Sequence, residues 1–179
     1  DNLFGEQGDD FLYGGSGGDE LRGGEGNDHI EGNGGDDVLL GGQGNDRLFG
    51  HSGVDYLEGG DADDLIDGGV GNDQLWGDAG VDTFVFRSGD GVDLINDADG
   101  SDEVKFGAGI RLDDVTSQVL ILGENRESFL EINYGLSDVV LIKGGYQASI
   151  ANYQFGGGTR IDTGDFLRAT LSRLNIVLN

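Results

Sequence analysis

Gly5-Glu6-Gln7-Gly8-Asp9-Asp10-Phe11-Leu12-Tyr13 opens a stretch that repeats every nine residues as far as Val85. The units that follow read GGSGGDELR, GGEGNDHIE, GNGGDDVLL, GGQGNDRLF, GHSGVDYLE, GGDADDLID, GGVGNDQLW and GDAGVDTFV. Position one is Gly and position six is Asp in every unit, and position eight is always Leu, Ile or Phe. Position four is Gly except at Ala62. Asp1-Asn2-Leu3-Phe4 is in register as positions six to nine of a preceding unit, so the chain is expected to be a fragment of a longer protein.

Each unit divides in two. Its first six residues are glycine, polar and acidic, a turn-forming string whose glycines permit positive φ. Its last three place one apolar residue between two variable ones, which reads as a very short strand with one inward side chain. A turn and a strand alternating at this period wind into a flattened solenoid with two units per coil. The expected fold is all-β, a right-handed parallel β-roll of 18 residues per coil over residues 1–102. Residues 103–179 are expected to form a small β-rich capping block with one C-terminal helix.

The winding sorts the aspartates onto two edges. One carries Asp10, Asp28, Asp46, Asp64 and Asp82; the other carries Asp1, Asp19, Asp37, Asp55 and Asp73. Successive coils lie about 4.8 Å apart, and calcium takes oxygen ligands at about 2.3–2.6 Å. One ion therefore fits between consecutive loops, held by the aspartate of each and by backbone carbonyls. Mg²⁺ fits worse, because it keeps its waters and demands a tighter octahedron. Stacked carboxylates repel by roughly 1 kcal/mol per pair in water and by more at lower dielectric. The repeat region is accordingly expected to be disordered without calcium and to fold when calcium binds.

Composition agrees with hard-cation chemistry. The 179 residues carry a formal charge of −25, from 35 acidic and 10 basic residues. Phosphate would be repelled, which excludes nucleic acid and argues against anionic membranes. Absence of Cys excludes disulfides and thiolate metal sites, leaving oxygen as the abundant donor. No apolar run is long enough to span a membrane, and no stretch reads as an N-terminal export signal. His29 and His51 fall in different units, too scattered for a zinc site. No catalytic constellation and no phosphate loop is present, so this stretch is not expected to be an enzyme.

The pattern GGxGxDxUx, where U is large and apolar, is complete in Gly23–Glu31 and again from Gly41 to Phe49. It resembles the RTX (repeats-in-toxin) nonapeptide, a calcium-binding parallel β-helix repeat. The resemblance implies calcium in the loops and export by a type I secretion system of a Gram-negative bacterium, with the secretion machinery as partner. The product would be extracellular and monomeric, a module of a larger toxin, enzyme or adhesin. Candidate metal ligands are Asp1, Asp10, Asp19, Asp28, Asp37, Asp46, Asp55, Asp64, Asp73, Asp82 and Asp93. With them go the carbonyls of Gly8, Gly15, Gly17, Gly24, Gly26, Gly35, Gly42, Gly44, Gly53, Gly60, Gly69, Gly71 and Gly80. At one ion per loop pair this amounts to about seven to nine Ca²⁺. Glu6, Asn33, His51 and Asp78 replace Gly at position two, which puts the local carbonyl geometry in question. Val54 and Val81 at position five are milder departures.

Beyond Val85 the period breaks. Gly89-Asp90-Gly91-Val92-Asp93-Leu94-Ile95 is a repeat displaced by a two-residue insertion, which stacks Asp93 on Asp73. The acidic turn Asp97–Asp102 follows. Strands are expected at Glu103–Phe106, Ser117–Leu122, Phe129–Tyr134, Val139–Lys143 and near Tyr153–Phe155, with turns at Gly123-Glu124-Asn125 and Gly144-Gly145. A helix is expected over Gly164–Leu174, with Thr163 as its N-cap. The order of GDGVDLI, VVLIKG and YQF-GGGT resembles the block that follows RTX repeats in secreted toxins, enzymes and adhesins, and the tail Asn175–Asn179 would belong to the export signal. Outward aromatics at Tyr13, Phe49, Tyr56 and Trp76 are expected to cover the sheet faces. The alternative function is a carbohydrate- or host-surface-binding module that calcium makes rigid.

Overall fold

The computed structural model describes residues 1–96, 101–122, 127–143, 150–156, 158–162 and 165–166. Nine strands of alternating destination build the roll: β1 (Asn2–Gln7), β2 (Phe11–Ser16), β3 (Glu20–Glu25), β4 (His29–Gly34), β5 (Val38–Gln43), β6 (Arg47–Ser52), β7 (Tyr56–Asp61), β8 (Leu65–Val70) and β9 (Gln74–Ala79). They are followed by β10 (Thr83–Phe86), β11 (Val92–Ile95) and β12 (Asp102–Phe106). Odd strands pair in parallel in one sheet and even strands in the other, each residue facing its equivalent 18 positions on, as Leu39 faces Leu57. The all-β solenoid expected from the nine-residue period is the observed fold.

The strands are longer than expected. They occupy positions seven to nine and then one to three of the next unit, so the turn shrinks to positions four to six. Alternation explains this: position eight points inward, nine outward and one inward again. Position one is therefore Gly for lack of space and not for positive φ. A Cβ on Gly41 would overlap the Asp46 carboxylate and lie 2.5 Å from the Gly59 carbonyl. Gly23, Gly32, Gly50, Gly59 and Gly68 are enclosed in the same way. The inward column at position eight, from Leu21 through Ile30, Leu39, Leu48, Leu57, Ile66 and Leu75 to Phe84, is fully buried and forms the core.

Left-handed backbone is concentrated at positions two and four. Among the described residues, the five non-glycine residues with positive φ are Glu6 (75°), Asn33 (75°), His51 (74°), Ala62 (79°) and Asp78 (67°). These are the departures from glycine at those two positions, so each substitution keeps the glycine conformation and bears its strain.

At the C-terminal end the stack absorbs two extra residues per coil. Leu94 faces Gln74 and Thr83 faces Glu103, offsets of 20 in place of 18. Here the position-one column changes from Gly to Phe: Phe86 faces Phe106, and both rings pack against Tyr134. The glycine-lined interior gives way to an aromatic core.

The remaining strands extend the two sheets. They are β13 (Thr116–Leu122), β14 (Glu127–Asn133), β15 (Val139–Lys143), β16 (Ile150–Gln154) and β17 (Arg160–Asp162), preceded by a 3₁₀ turn at Leu112–Asp114. β15 adds in parallel to β11 and continues as an antiparallel meander through β14 and β13. β16 adds in parallel to β12 and pairs antiparallel with β17. Tyr153 and Phe155 of this end bury against Phe166, which stacks on Tyr153 at 4.1 Å. Residues Asp165 and Phe166 are helical; the rest of the expected helix and the Asn175–Asn179 tail lie outside the described residues, as do the turns at 123–125 and 144–145.

Relief of left-handed strain is a direct test of this geometry. Ala62→Gly is expected to raise stability by about 1 kcal/mol, read as a higher thermal midpoint in saturating calcium. A lower midpoint would mean that Ala62 is not held at positive φ.

Candidate metal centre in the coil loops

The two aspartate rows are held by one repeated contact. The backbone N–H of each aspartate donates to Oδ1 of the aspartate one coil on: Asp10 to Asp28 (2.8 Å), Asp28 to Asp46 (2.7 Å), Asp46 to Asp64 (2.7 Å) and Asp64 to Asp82 (2.8 Å). On the opposite edge the bonds run Asp19 to Asp37, Asp37 to Asp55 and Asp55 to Asp73 at 2.8–2.9 Å, then Asp73 to Asp93 at 3.0 Å. Asp1 begins this row through its terminal ammonium, which contacts Asp19 Oδ1, but its own side chain is 83% exposed.

The second oxygen is left over. Oδ2 of Asp10, Asp19, Asp28, Asp37, Asp46, Asp55, Asp64, Asp73 and Asp93 is buried with no hydrogen-bond partner. A buried carboxylate oxygen without a donor is costly, and a periodic series of them calls for a periodic cation. Burial is the leading cause that raises the pKa of five of these: Asp46 and Asp55 are pushed up to about 6, Asp73 to about 7, and Asp64 and Asp93 to about 8. The carboxylate of the neighbouring coil adds to the rise in each case.

Carbonyls at positions two and four complete the loops. Those of Gly24 and Gly42 face the α-carbons of Gly42 and Gly60, and those of Gly8, Gly26, Gly17, Gly35, Gly53 and Gly71 face Gly26, Gly44, Gly35, Gly53, Gly71 and Gly91. The carbonyls of Glu6, His51 and Ala62 do the same toward Gly24, Gly69 and Gly80, so these departures from glycine keep the carbonyl direction. Gly15, Gly44, Gly60, Gly69 and Gly80 sit in the same columns at positive φ. Among the described residues no three acidic or histidine side chains converge as a metal cluster. A cation in these loops would thus be held by two carboxylates and by carbonyls, an all-oxygen set that suits Ca²⁺. Bound there, the ion supplies the positive charge that the loops lack.

Two structural roles were not legible in the spacing. Asp102 extends the first row, its Oδ1 accepting the Asp82 N–H at 2.9 Å, though the acidic turn at 97–102 hid which residue aligns. Position five forms an outer ladder, with Asp9 Oδ1 accepting from Asn27 N–H, Asn27 from Asn45, Asn45 from Asp63 and Asp63 from Val81, all at 2.8–2.9 Å. On the opposite edge Asp36 Oδ1 accepts the Val54 N–H at 2.9 Å and Asn72 Oδ1 the Val92 N–H at 3.0 Å. His29 and His51 are brought together after all: both reach the Glu31 carboxylate, at 2.8 and 3.4 Å.

The raised carboxylate pKa values set the sign of a pH effect. In the folded state these groups hold protons that the unfolded chain releases near pH 4, so without a cation stability falls as pH rises through about 4 to 8. Calcium-stripped protein is expected to gain β-type circular dichroism when taken from pH 8 to pH 5. Loss of signal over that range would contradict the burial of these carboxylates.

Residues 1–21, 13–48 and 49–84 match the family described as RTX calcium-binding nonapeptide repeat (4 copies). No curated protein sequence matches the chain. Among solved structures it is similar to the extracellular lipase LipA from Serratia marcescens, at 20% identity and a TM-score of 0.37, over 79% of this chain and 37% of the lipase. It is also similar to the AlgE6R3 subunit of the Azotobacter vinelandii mannuronan C5-epimerase, at 25% identity and a TM-score of 0.25, over 82% of this chain and 76% of the subunit. The chain thus spans little more than a third of the lipase. Matching repeats, a two-row β-roll and orphaned loop carboxylates coincide: residues 1–84 carry RTX calcium-binding nonapeptide repeats.

Proposed function

We propose that this chain is a calcium-dependent folding module of a protein exported by a type I secretion system. It is disordered at the low calcium of the cytosol, is threaded out in that state, and folds outside the cell when calcium fills the loops. The observation that carries this reading is the unpartnered Oδ2 in coil after coil, which leaves the roll with buried negative charge that only cations can balance. Extracellular calcium modules bind with Kd of about 10⁻⁴–10⁻³ M, a range that separates the cytosol from the exterior. The module has no catalytic role of its own in this reading. Any enzymatic, toxic or adhesive activity belongs to the rest of the larger protein. Among the described residues no helix is long and apolar enough to cross a membrane.

A second reading, a surface-binding module, is favoured by one observation. The outer face of β2, β4 and β6 carries a run of rings, Phe11–His29–Phe49–His51, with centroids 5.3–6.2 Å apart, and Tyr13 beside His29. Phe11 is 69% and Tyr13 52% exposed. The run adjoins an open cavity of about 400 Å³ bounded by Phe49, His51, Val70 and Arg87. Stacking on sugar rings is the chemistry such a face would offer.

Two measurements separate these readings. Far-UV circular dichroism in EGTA should show a disordered chain, converted to β structure by millimolar CaCl₂. Native β signal in EGTA at neutral pH would sink the folding module. A glycan array probed in calcium with wild type and Phe11→Ala tests the second reading, which fails if wild type retains no glycan or if the variant binds as well as wild type.

A further inference from the structure

The junction of roll and cap is where the second aspartate row runs out. The column that holds Asp55, Asp73 and Asp93 continues into Val140 of β15, because Asp93 faces Val140 in the register. The next aspartate stands two residues earlier. Val139 donates its N–H to the Gly91 carbonyl at 2.7 Å, which lays Asp138 over the loop that carries Asp93.

Asp138 has the local packing of a repeat aspartate. A Cβ on Gly135 would overlap Asp138 Oδ2, as one on Gly68 would overlap Asp73 Oδ2. Asp138 Oδ2, the oxygen beside Gly135, accepts the Gly89 N–H at 2.9 Å, so its backbone donor comes from the preceding coil, as it does for Asp28, Asp46 and Asp73, where the donor reaches Oδ1 instead. The residue is 5% exposed.

Charge at this point is unbalanced. Asp90, Asp93 and Asp138 are all at least 95% buried. Arg87 is a basic side chain beside Asp90, and its guanidinium is committed to Asp67 at 2.5 Å, while its main-chain N–H bonds Asp90. No ion pair reaches Asp93 or Asp138 among the described residues. A hydroxyl points to the same conclusion independently. Tyr134, immediately before Gly135, is 3% exposed, and its Oη has no hydrogen-bond partner. Its backbone N–H donates to the Asp138 carbonyl at 3.1 Å, which holds the residue beside that aspartate. Neutral Tyr Oη has lone pairs to offer a hard cation.

We propose that the seam between β11 and β15 holds one further divalent cation of the calcium type, ligated by the carboxylates of Asp93 and Asp138 with the Tyr134 hydroxyl. It rests on the reading of the loops as calcium sites, and adds a position built by cap and roll together. Asp138 takes the place of the aspartate that Val140 interrupts, so the row gains a final ion whose second carboxylate comes from the cap. That ion ties β15 to the roll, and the cap docks as the row fills.

The test counts ions in the full chain. Equilibrium dialysis with radiocalcium at saturation should find one ion fewer in Asp138→Asn than in wild type, with a lower thermal midpoint in saturating calcium. An unchanged count would overturn the seam site, as would a higher midpoint, because removing a buried charge that no cation balances relieves repulsion. Should Asp138→Asn fail to fold, Tyr134→Phe is expected to weaken one calcium-binding step several-fold, and an unchanged isotherm would overturn the proposal. Asp46→Asn separates the two readings. If it loses loop calcium while Asp138→Asn and Tyr134→Phe change nothing, the seam alone falls. A wild type that binds no calcium overturns the loops and the seam together.

Discussion

A carboxylate that must serve two partners governs this structure. One oxygen of each repeat aspartate accepts a backbone N–H from the coil before it, which fixes the stacking distance and the register. The other is driven into the interior beside the glycine of position one. The first contact ties each aspartate into the stack, and the second buries negative charge that the loop side chains do not balance. Length and composition leave few other stabilisers. The chain has no disulfide, and each unit contributes one apolar side chain to the core. In the proposed function, folding and ion binding are one event in such a loop.

The glycines follow from this constraint in two separate ways. Position-one glycines make room for the carboxylate, whereas those at positions two and four turn the chain so that carbonyls face along the stack. Only the second group tolerates replacement, and the replacements found there are strained but keep direction. At position one the column stays glycine until Phe86, where the insertion moves the aspartate away and an aromatic core takes the vacated space.

Much of the roll was legible in the sequence because a solenoid turns periodicity into adjacency. The two rows, the inward apolar column and the position-two departures all follow from counting by nine and by eighteen. Strand length was not legible. The turn-like composition of positions one to three hides their place in the ladder, since glycine disfavours strands on its own and is admitted here for its small size. Asp102 and Asp138 escaped because insertion shifted their register, so no spacing rule applied. The meeting of His29 and His51 at Glu31 was missed for a simpler reason: residues 22 apart become neighbours only when the lateral offset within adjacent strands is known.

The outer ladder at position five has a further consequence. Asp9, Asp36 and Asp63 and the asparagines Asn27, Asn45 and Asn72 present the same acceptor to the next coil, and differ only in charge. Exchange between the two residue types leaves the stacking intact while altering the electrostatic potential around the loops. In the proposed function, the calcium concentration at which the coils assemble is thereby adjustable in small steps, along a column that does not itself have to touch the ion.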